Sequence, residues 1–289
     1  MSRAKRRKLS QAEMYDQIHG VGVYGVGRDV AVGTPVDRVW WRLRWVYRKP
    51  VNRMYEALHE NMRELLQEIG GKDALEIGSG RGNPITFYVA SRCKSLVCCD
   101  ISAASVQQLN RKFDADGLVN ARGIVAGFPL RGTPDRAFDV VFGTGILHHF
   151  SDLRGTCREL RRLLRSGGYA VFSEPLNTDI LIRVARRLTR PFKSDQEWEF
   201  PLDWEALHTI REVFPKTEAF FFDGFTHFLL WAPLLGRRFF RAATRLTNAL
   251  EERFQRRGGP LAGMCWFVNL LMRSNEDAVI HPTHQDVEQ

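Results

Sequence analysis

The chain has 289 residues, 44% of them apolar, enough for one large α/β domain with insertions or two small ones. A formal charge of +9, from 42 basic and 33 acidic residues, points to an anionic partner (nucleic acid, lipid headgroup or acidic substrate) without choosing among them. No uninterrupted apolar run is long enough to span a membrane, and the five cysteines show no C-x-x-C pair, which argues against a zinc site and for a reducing, cytoplasmic setting.

In chain order, residues 1–35 read as a basic arm and glycine-rich connector. No apolar run follows Lys5-Arg6-Arg7-Lys8, so a secretory signal is not expected. Residues 36–49 form a predicted helix carrying Trp40, Trp41 and Trp45. A second helix, about 51–69, has Met54, Leu58, Met62, Leu65 and Ile69 at helical spacing, and Gly70-Gly71 closes it. Ala74-Leu75-Glu76-Ile77 is a short buried strand. It runs into Gly78-Ser79-Gly80-Arg81-Gly82, where three glycines let the backbone bend and approach a ligand closely. Asn83 is a good N-cap and Pro84 suits the first helical position. The helix runs to about Arg92, and its free N–H groups are expected to face the turn.

Leu96 to Cys99 is a second apolar run ending in Asp100, about 20 residues beyond the glycines, where a doubly wound fold holds a ribose. A helix from Ser102 carries Val106, Leu109 and Phe113, and a third strand spans Ala121 to Val125. Phe138 to Phe142 is the fourth strand, with Asp139 structural, and it leads into Gly143-Thr144-Gly145-Ile146-Leu147-His148-His149-Phe150. Ser151-Asp152 caps a helix whose outer face bears Arg154, Arg158, Arg161, Arg162 and Arg165, read as a solvated face. Gly167-Gly168 ends it. Tyr169 to Pro175 is the fifth strand, with Glu174 at its exit. Alternating strands and helices at these intervals predict a parallel doubly wound sheet with ligands at the carboxyl ends of the strands. Thr217 to Phe222 is a sixth strand. Residues 233–257 form a long basic amphipathic helix, and Met264 to Met272 the last strand.

The run Glu76-x-Gly78-x-Gly80-x-Gly82 resembles motif I of the class I S-adenosylmethionine-dependent methyltransferases. The segment Gly143 to Phe150 resembles their motif IV, in the branch typified by ubiquinone- and menaquinone-biosynthesis enzymes. The resemblance covers residues 50–175 well and the rest poorly. It implies a seven-stranded, mostly parallel, Rossmann-like sheet over residues 36–275, with a last antiparallel strand, helical cap insertions at about 176–216 and 223–262, and a disordered tail at 276–289. It implies S-adenosylmethionine as cofactor, held by Glu76, Gly78, Ser79, Gly80, Gly82, Asp100, Ile101, Gly143 and Thr144. Relatives place an adenine-contacting acid where this chain reads Val125-Ala126-Gly127, a departure that leaves open how the adenine amino group is held, a backbone carbonyl being one way. No metal is implied.

Methyl transfer from a sulfonium needs mainly alignment and exclusion of water; an oxygen or nitrogen acceptor adds the need for a general base. His148 and His149 are the candidates because imidazole titrates near neutral pH, with Glu174 as a group that holds or activates an acceptor. The competing reading of each is structural: a packed ring for the histidines and a surface acid for Glu174. Phe192, Trp198, Phe200 and Trp204 suggest a partly apolar pocket, and Glu197 and Glu199 are read as solvated. The expected acceptor is a small molecule (lipid-like, glycan or secondary metabolite), with peripheral contact of the basic helix on an anionic membrane. The alternative is a nucleic-acid (RNA) methyltransferase, suggested by charge but lacking an Asn/Asp-Pro-Pro-aromatic motif.

Overall fold

The computed structural model describes residues 10–13, 56–189, 200–222 and 260–274, with single residues between 224 and 250. Most of the expected arm, the tryptophan helix, most of the basic helix, Phe192, Glu197, Trp198, Glu199 and the tail lie outside the described residues; residues 11–13 of the arm are helical.

Seven strands form one sheet in the order β3-β2-β1-β4-β5-β7-β6. They are β1 (Asp73–Ile77), β2 (Ser95–Asp100), β3 (Ala121–Val125), β4 (Phe138–Thr144), β5 (Leu164–Pro175), β6 (Thr217–Phe222) and β7 (Phe267–Arg273). The first five pair in parallel, and β7 runs antiparallel to both β5 and β6. Strand order reverses between β1 and β4, which opens a crevice at their carboxyl ends. The predicted doubly wound sheet is therefore observed, with its antiparallel last strand.

The helices are α1 (residues 56–65), α2 (Pro84–Ala90), α3 (Ala103–Ala115), α4 (Leu153–Leu163), α5 (Ile180–Thr189) and α6 (Trp204–Val213). Alternation along β1 divides the core. Leu75 and Ile77 pack with Cys157, Leu160, Leu207 and Ile210 of α4 and α6. Ala74 faces the other layer, where Met62, Ile85, Val89, Leu109 and Phe113 supply the α1, α2 and α3 side. That is the period-2 pattern of a strand buried on both faces. Cys93, Cys98, Cys99 and Cys157 are buried free thiols; burial pushes Cys99 and Cys157 each up to about 12, so they serve as small apolar fillers.

Two expectations change. Gly167-Gly168 does not end a helix: α4 stops at Leu163 and β5 begins at Leu164. The pairing register with β4 shifts between Phe138 and Val140, and a Cβ at Gly168 would lie 2.8 Å from the Asp139 carbonyl. The glycines therefore let β5 pass β4 at an irregularity. Arg165 consequently leaves the helix face. Its guanidinium bridges Asp139 (2.7 Å) and Asp73 (2.9 Å) at the amino end of the sheet, and Asp139 also accepts from the Asp73 N–H (2.8 Å). The structural reading of Asp139 holds. Arg162 is likewise committed, to Glu159 and Asp135, and Arg154 pairs with Glu212.

Candidate active site

The crevice between β1 and β4 collects the sequence motifs from both sides. Gly78, Gly80 and Gly82 all have left-handed backbone, with φ of 67, 52 and 77°. Only glycine takes that conformation without strain. Two glycines are also required by close approach. A Cβ on Gly78 would stand 2.5 Å from Ile146 Cδ1, and one on Gly143 would stand 2.7 Å from Ile146 Cγ2 and 2.9 Å from the Ile77 carbonyl. Ile146 thus lies across both motifs. Sequence reasoning missed it, because an isoleucine between a turn and a histidine pair carries no periodic signal.

The turn is tied to β2. The Gly78 N–H donates to the Cys99 carbonyl (2.8 Å), and the Gly80 N–H to Asp100 Oδ2 (2.8 Å). Asp100 Oδ1 accepts from the Ser102 N–H (2.8 Å), while the Ser102 side chain caps α3 through the Ser105 N–H. Asp100 is thus the acid of the local turn, beside the Ser102 cap. Ile101 stands next in chain, 3.6 Å from where a Gly127 Cβ would be, beside the segment that lacks the adenine acid.

The N–H groups at the start of α2 are not free, contrary to expectation. Asn83 Oδ1 accepts from Ile85 and Thr86 (2.7 and 3.3 Å), completing a capping box with Thr86. The Asn83 amide also donates to Thr144 Oγ1 (2.8 Å), joining the glycine turn to the end of β4. Asn83 was legible as a cap; its second contact needed the crossover of β4.

Glu76 is fully buried on the α2 side of the sheet. It accepts from Thr86 Oγ1 (2.9 Å) and lies 3.4 Å from Cys98 Sγ. Burial pushes its carboxyl up to about 8, against the opposing Thr86 bond. It braces the first turn of α2 from beneath.

At the far lip, Glu174 is also fully buried, so it is not a surface acid. Its Oε1 accepts from the Ile146 and Leu147 N–H groups (2.9 and 2.8 Å). Its Oε2 accepts from the His148 N–H (3.3 Å) and lies 2.7 Å from His148 Nδ1. The one-turn 3₁₀ helix Leu147–His149 has no local side-chain cap, since Ile146 precedes it. Glu174 supplies that cap from β5. The His148 ring is nearly buried and stacks on His149, ring centroids 4.1 Å apart. The Phe200 N–H donates to the His148 carbonyl (2.6 Å), which brings a half-exposed Phe200 to the same lip.

The site fits S-adenosylmethionine on an internal criterion. Ser79 Oγ, buried at 4% exposure within the glycine turn, has no hydrogen-bond partner. Buried hydroxyls are normally paired, so this turn is built for a polar ligand that completes it.

Residues 75–172 match the family model described as Methyltransferase domain. That match and the switch-point crevice make this part of the chain similar to class I S-adenosylmethionine-dependent methyltransferases; the match does not single out the quinone-biosynthesis branch. Among curated proteins the chain is similar to phthiotriol/phenolphthiotriol dimycocerosates methyltransferase 1 of Mycobacterium ulcerans, 25% identical over 192 residues, 62% of this chain and 64% of that one. A putative sarcosine dimethylglycine methyltransferase from Galdieria sulphuraria superposes with a TM-score of 0.54 at 17% identity, covering 91% of this chain and 100% of that one. The [4+2]-cyclase SpnF superposes with a TM-score of 0.56 at 16% identity, covering 92% and 95%. The chain spans less than two thirds of the length of the first curated relatives it matches.

Proposed function

We propose that the protein transfers the methyl group of S-adenosylmethionine to a small, largely apolar acceptor by in-line displacement. The observation that carries the cofactor half is the unpaired Ser79 hydroxyl inside a turn that Gly80 fastens to Asp100. In this reading Gly78, Ser79, Gly80 and Gly82 line the methionine and ribose, and Asp100 accepts from the ribose hydroxyls. Ile101 packs by the adenine, and Gly143 and Thr144 close the methionine end, with Glu76 and Asn83 holding the turn in place. When bound, the sulfonium supplies an activated methyl and a good leaving group. The chain's residues supply alignment and dryness, and alignment alone is worth roughly 7–11 kcal/mol.

The acceptor side is supported by exposed aromatic surface, of which Phe200 meets the histidine pair through its N–H. Phe200 and Trp204 are 48% and 47% exposed, and Trp204 lies 6.2 Å, ring to ring, from Phe221. The mycobacterial relative is named for dimycocerosate acceptors, which points the same way. Peripheral membrane contact belongs to the same reading: α5 turns Ile180, Arg183, Val184 and Arg187 outward on one face. Among the described residues no helix is long and apolar enough to cross a membrane. The nucleic-acid alternative gains no support from α4, whose Arg154 and Arg162 are engaged by acids.

The test is methyl transfer from labelled S-adenosylmethionine into a fractionated cell extract, alongside calorimetry with the cofactor. Label in a lipid or small-molecule fraction supports the reading. Label in RNA or protein overturns it.

A further inference from the structure

Strand order places the base of the cofactor. On the reading above, Gly143 and Thr144 at the end of β4 meet the methionine end, and Asp100 at the end of β2 meets the ribose. Followed in that direction the sheet runs β4-β1-β2-β3, so the next position belongs to the end of β3, the edge strand. Asp100 pairs with Val125 in the β2–β3 register, and paired residues of a parallel ladder share a face. Val125 is 57% exposed, an apolar side chain left bare beside the acid of the turn.

The side chains gathered there are apolar. Ile101 follows Asp100, and its Cγ2 is 3.6 Å from where a Gly127 Cβ would be. Phe128 sets its ring against Phe150, centroids 5.6 Å apart, over the core beneath. The polar groups nearby are committed. The Ala126 N–H donates to the Asp100 carbonyl (3.0 Å). The Asp100 carboxylate accepts at both oxygens, Oδ2 from the Gly80 N–H and Oδ1 from the Ser102 N–H. The connection from β3 to β4 holds one acid, Asp135, and it pairs with Arg162 (2.6 Å). Among the described residues, the end of β3 thus offers a base edge apolar side chains and main chain, and no uncommitted carboxylate.

We propose that the purine lies between Ile101 and residues 125–128, in an apolar slot that does not read the 6-amino group, and that Val125 is the residue that sets this indifference. This rests on the S-adenosylmethionine reading above. Covering the face of a purine with apolar side chains supplies affinity whatever the edge of the ring carries. A site built to hydrogen-bond the amino group would instead reject a purine that lacks it, since its own polar group would be left unpaired. Val125 stands where a carboxylate would face the base edge from the end of β3, and a branched hydrocarbon there can cover the ring but cannot accept from it. The protein therefore takes donors whose purine is altered at position 6, a tolerance that a side-chain acid at Val125 would remove.

Calorimetry on the full chain with two ligands tests this: S-adenosylhomocysteine, and its analogue in which hydrogen replaces the 6-amino group. The analogue is expected to bind within about ten-fold of the parent, the most that one neutral hydrogen bond accounts for. A larger loss overturns the proposal, because a charged or fully buried acceptor would then be holding the amino group. Val125→Asp puts a carboxylate on an exposed rim. It is expected to raise the preference for the parent over the analogue about ten-fold, as a hydrogen bond to a charged group would, and a rise below about three-fold overturns the placement of the base. Should the added charge unfold the edge strand, Val125→Asn offers a neutral acceptor at the same place. Its preference for the parent is expected to rise about five-fold, and no rise overturns the placement equally. If neither ligand binds the unaltered protein, the S-adenosylmethionine reading fails and the slot with it. Binding of the parent with strong rejection of the analogue leaves that reading standing and removes the slot alone.

Discussion

Glu76 and Glu174 occupy matching places on opposite walls of the crevice, near the carboxyl ends of β1 and β5, and neither touches solvent. Their partners make them different groups. Glu76 meets a hydroxyl and a thiol, too little to offset its desolvation, and is pushed up to about 8. Glu174 meets three backbone N–H groups and an imidazole. Burial alone therefore does not assign a role to an acid. The donors around it do, and they separate a brace under the first turn of α2 from an organiser of the 3₁₀ helix Leu147–His149.

Several substitutions sharpen that contrast. The largest effect is expected from Glu174→Ala, which orphans three buried N–H groups at a cost of about 1–3 kcal/mol each. Urea unfolding should show a loss on the order of 4 kcal/mol, and a loss below 1 kcal/mol would remove Glu174 from its organising role. Asp100→Ala comes next. Calorimetry should show S-adenosylmethionine affinity falling by roughly 10²-fold or more, since hydrogen bonds to a charged group are worth about 1.5–3 kcal/mol. Unchanged affinity would mean the ribose is held elsewhere.

Glu76→Gln should act with the opposite sign. A carboxyl raised from 4.5 to about 8 on folding stabilises the fold fully only at pH below its unfolded value, and that stability is lost as the pH climbs to about 8. The amide has no such titration and can still accept from Thr86. Its melting temperature should exceed that of the unaltered protein at pH 8, at about 2–4 °C per kcal/mol, and the difference should shrink toward pH 4.5. A lower melting temperature at pH 8 would show that Glu76 is held as a paired carboxylate. The smallest change is Ser79→Ala. It removes an unpaired hydroxyl, so the melting temperature of the free protein should hold or rise slightly. Cofactor affinity should drop about five-fold, as one neutral hydrogen bond of about 1 kcal/mol would give.

The same two walls differ in how legible they were. Around Glu76 the signals are local: strand, glycines, cap and Asp100 fall within some 25 residues, and their order dictates their geometry. The bounds of β3 and β6 agree with the predicted ones for the same reason, since each is a short run set off by turn residues. Around Glu174 the contacts join residues 26 to 28 apart, and the Phe200 N–H reaches the His148 carbonyl from farther still along the chain. No local pattern announces that an acid at a strand exit will turn inward to cap someone else's helix. The start of β5 was misread because two glycines look alike whether they end a helix or relieve a bulge. Arg165 was assigned to a helix face for that reason alone.

Strand β7 lies between β5 and β6 in the sheet, although it is the last of the seven in the chain. Its buried Asn269 donates to the Leu58 carbonyl (2.9 Å) and to Asn61 Oδ1 (3.0 Å) on α1. During synthesis, then, β6 leaves the ribosome with no neighbour to pair with, and the α1 groups wait for a partner more than 200 residues downstream. The sheet cannot close until Arg273 has cleared the exit tunnel. A nascent chain stalled before that point would carry the paired β1–β2 glycine turn on a sheet whose β5 edge is still open.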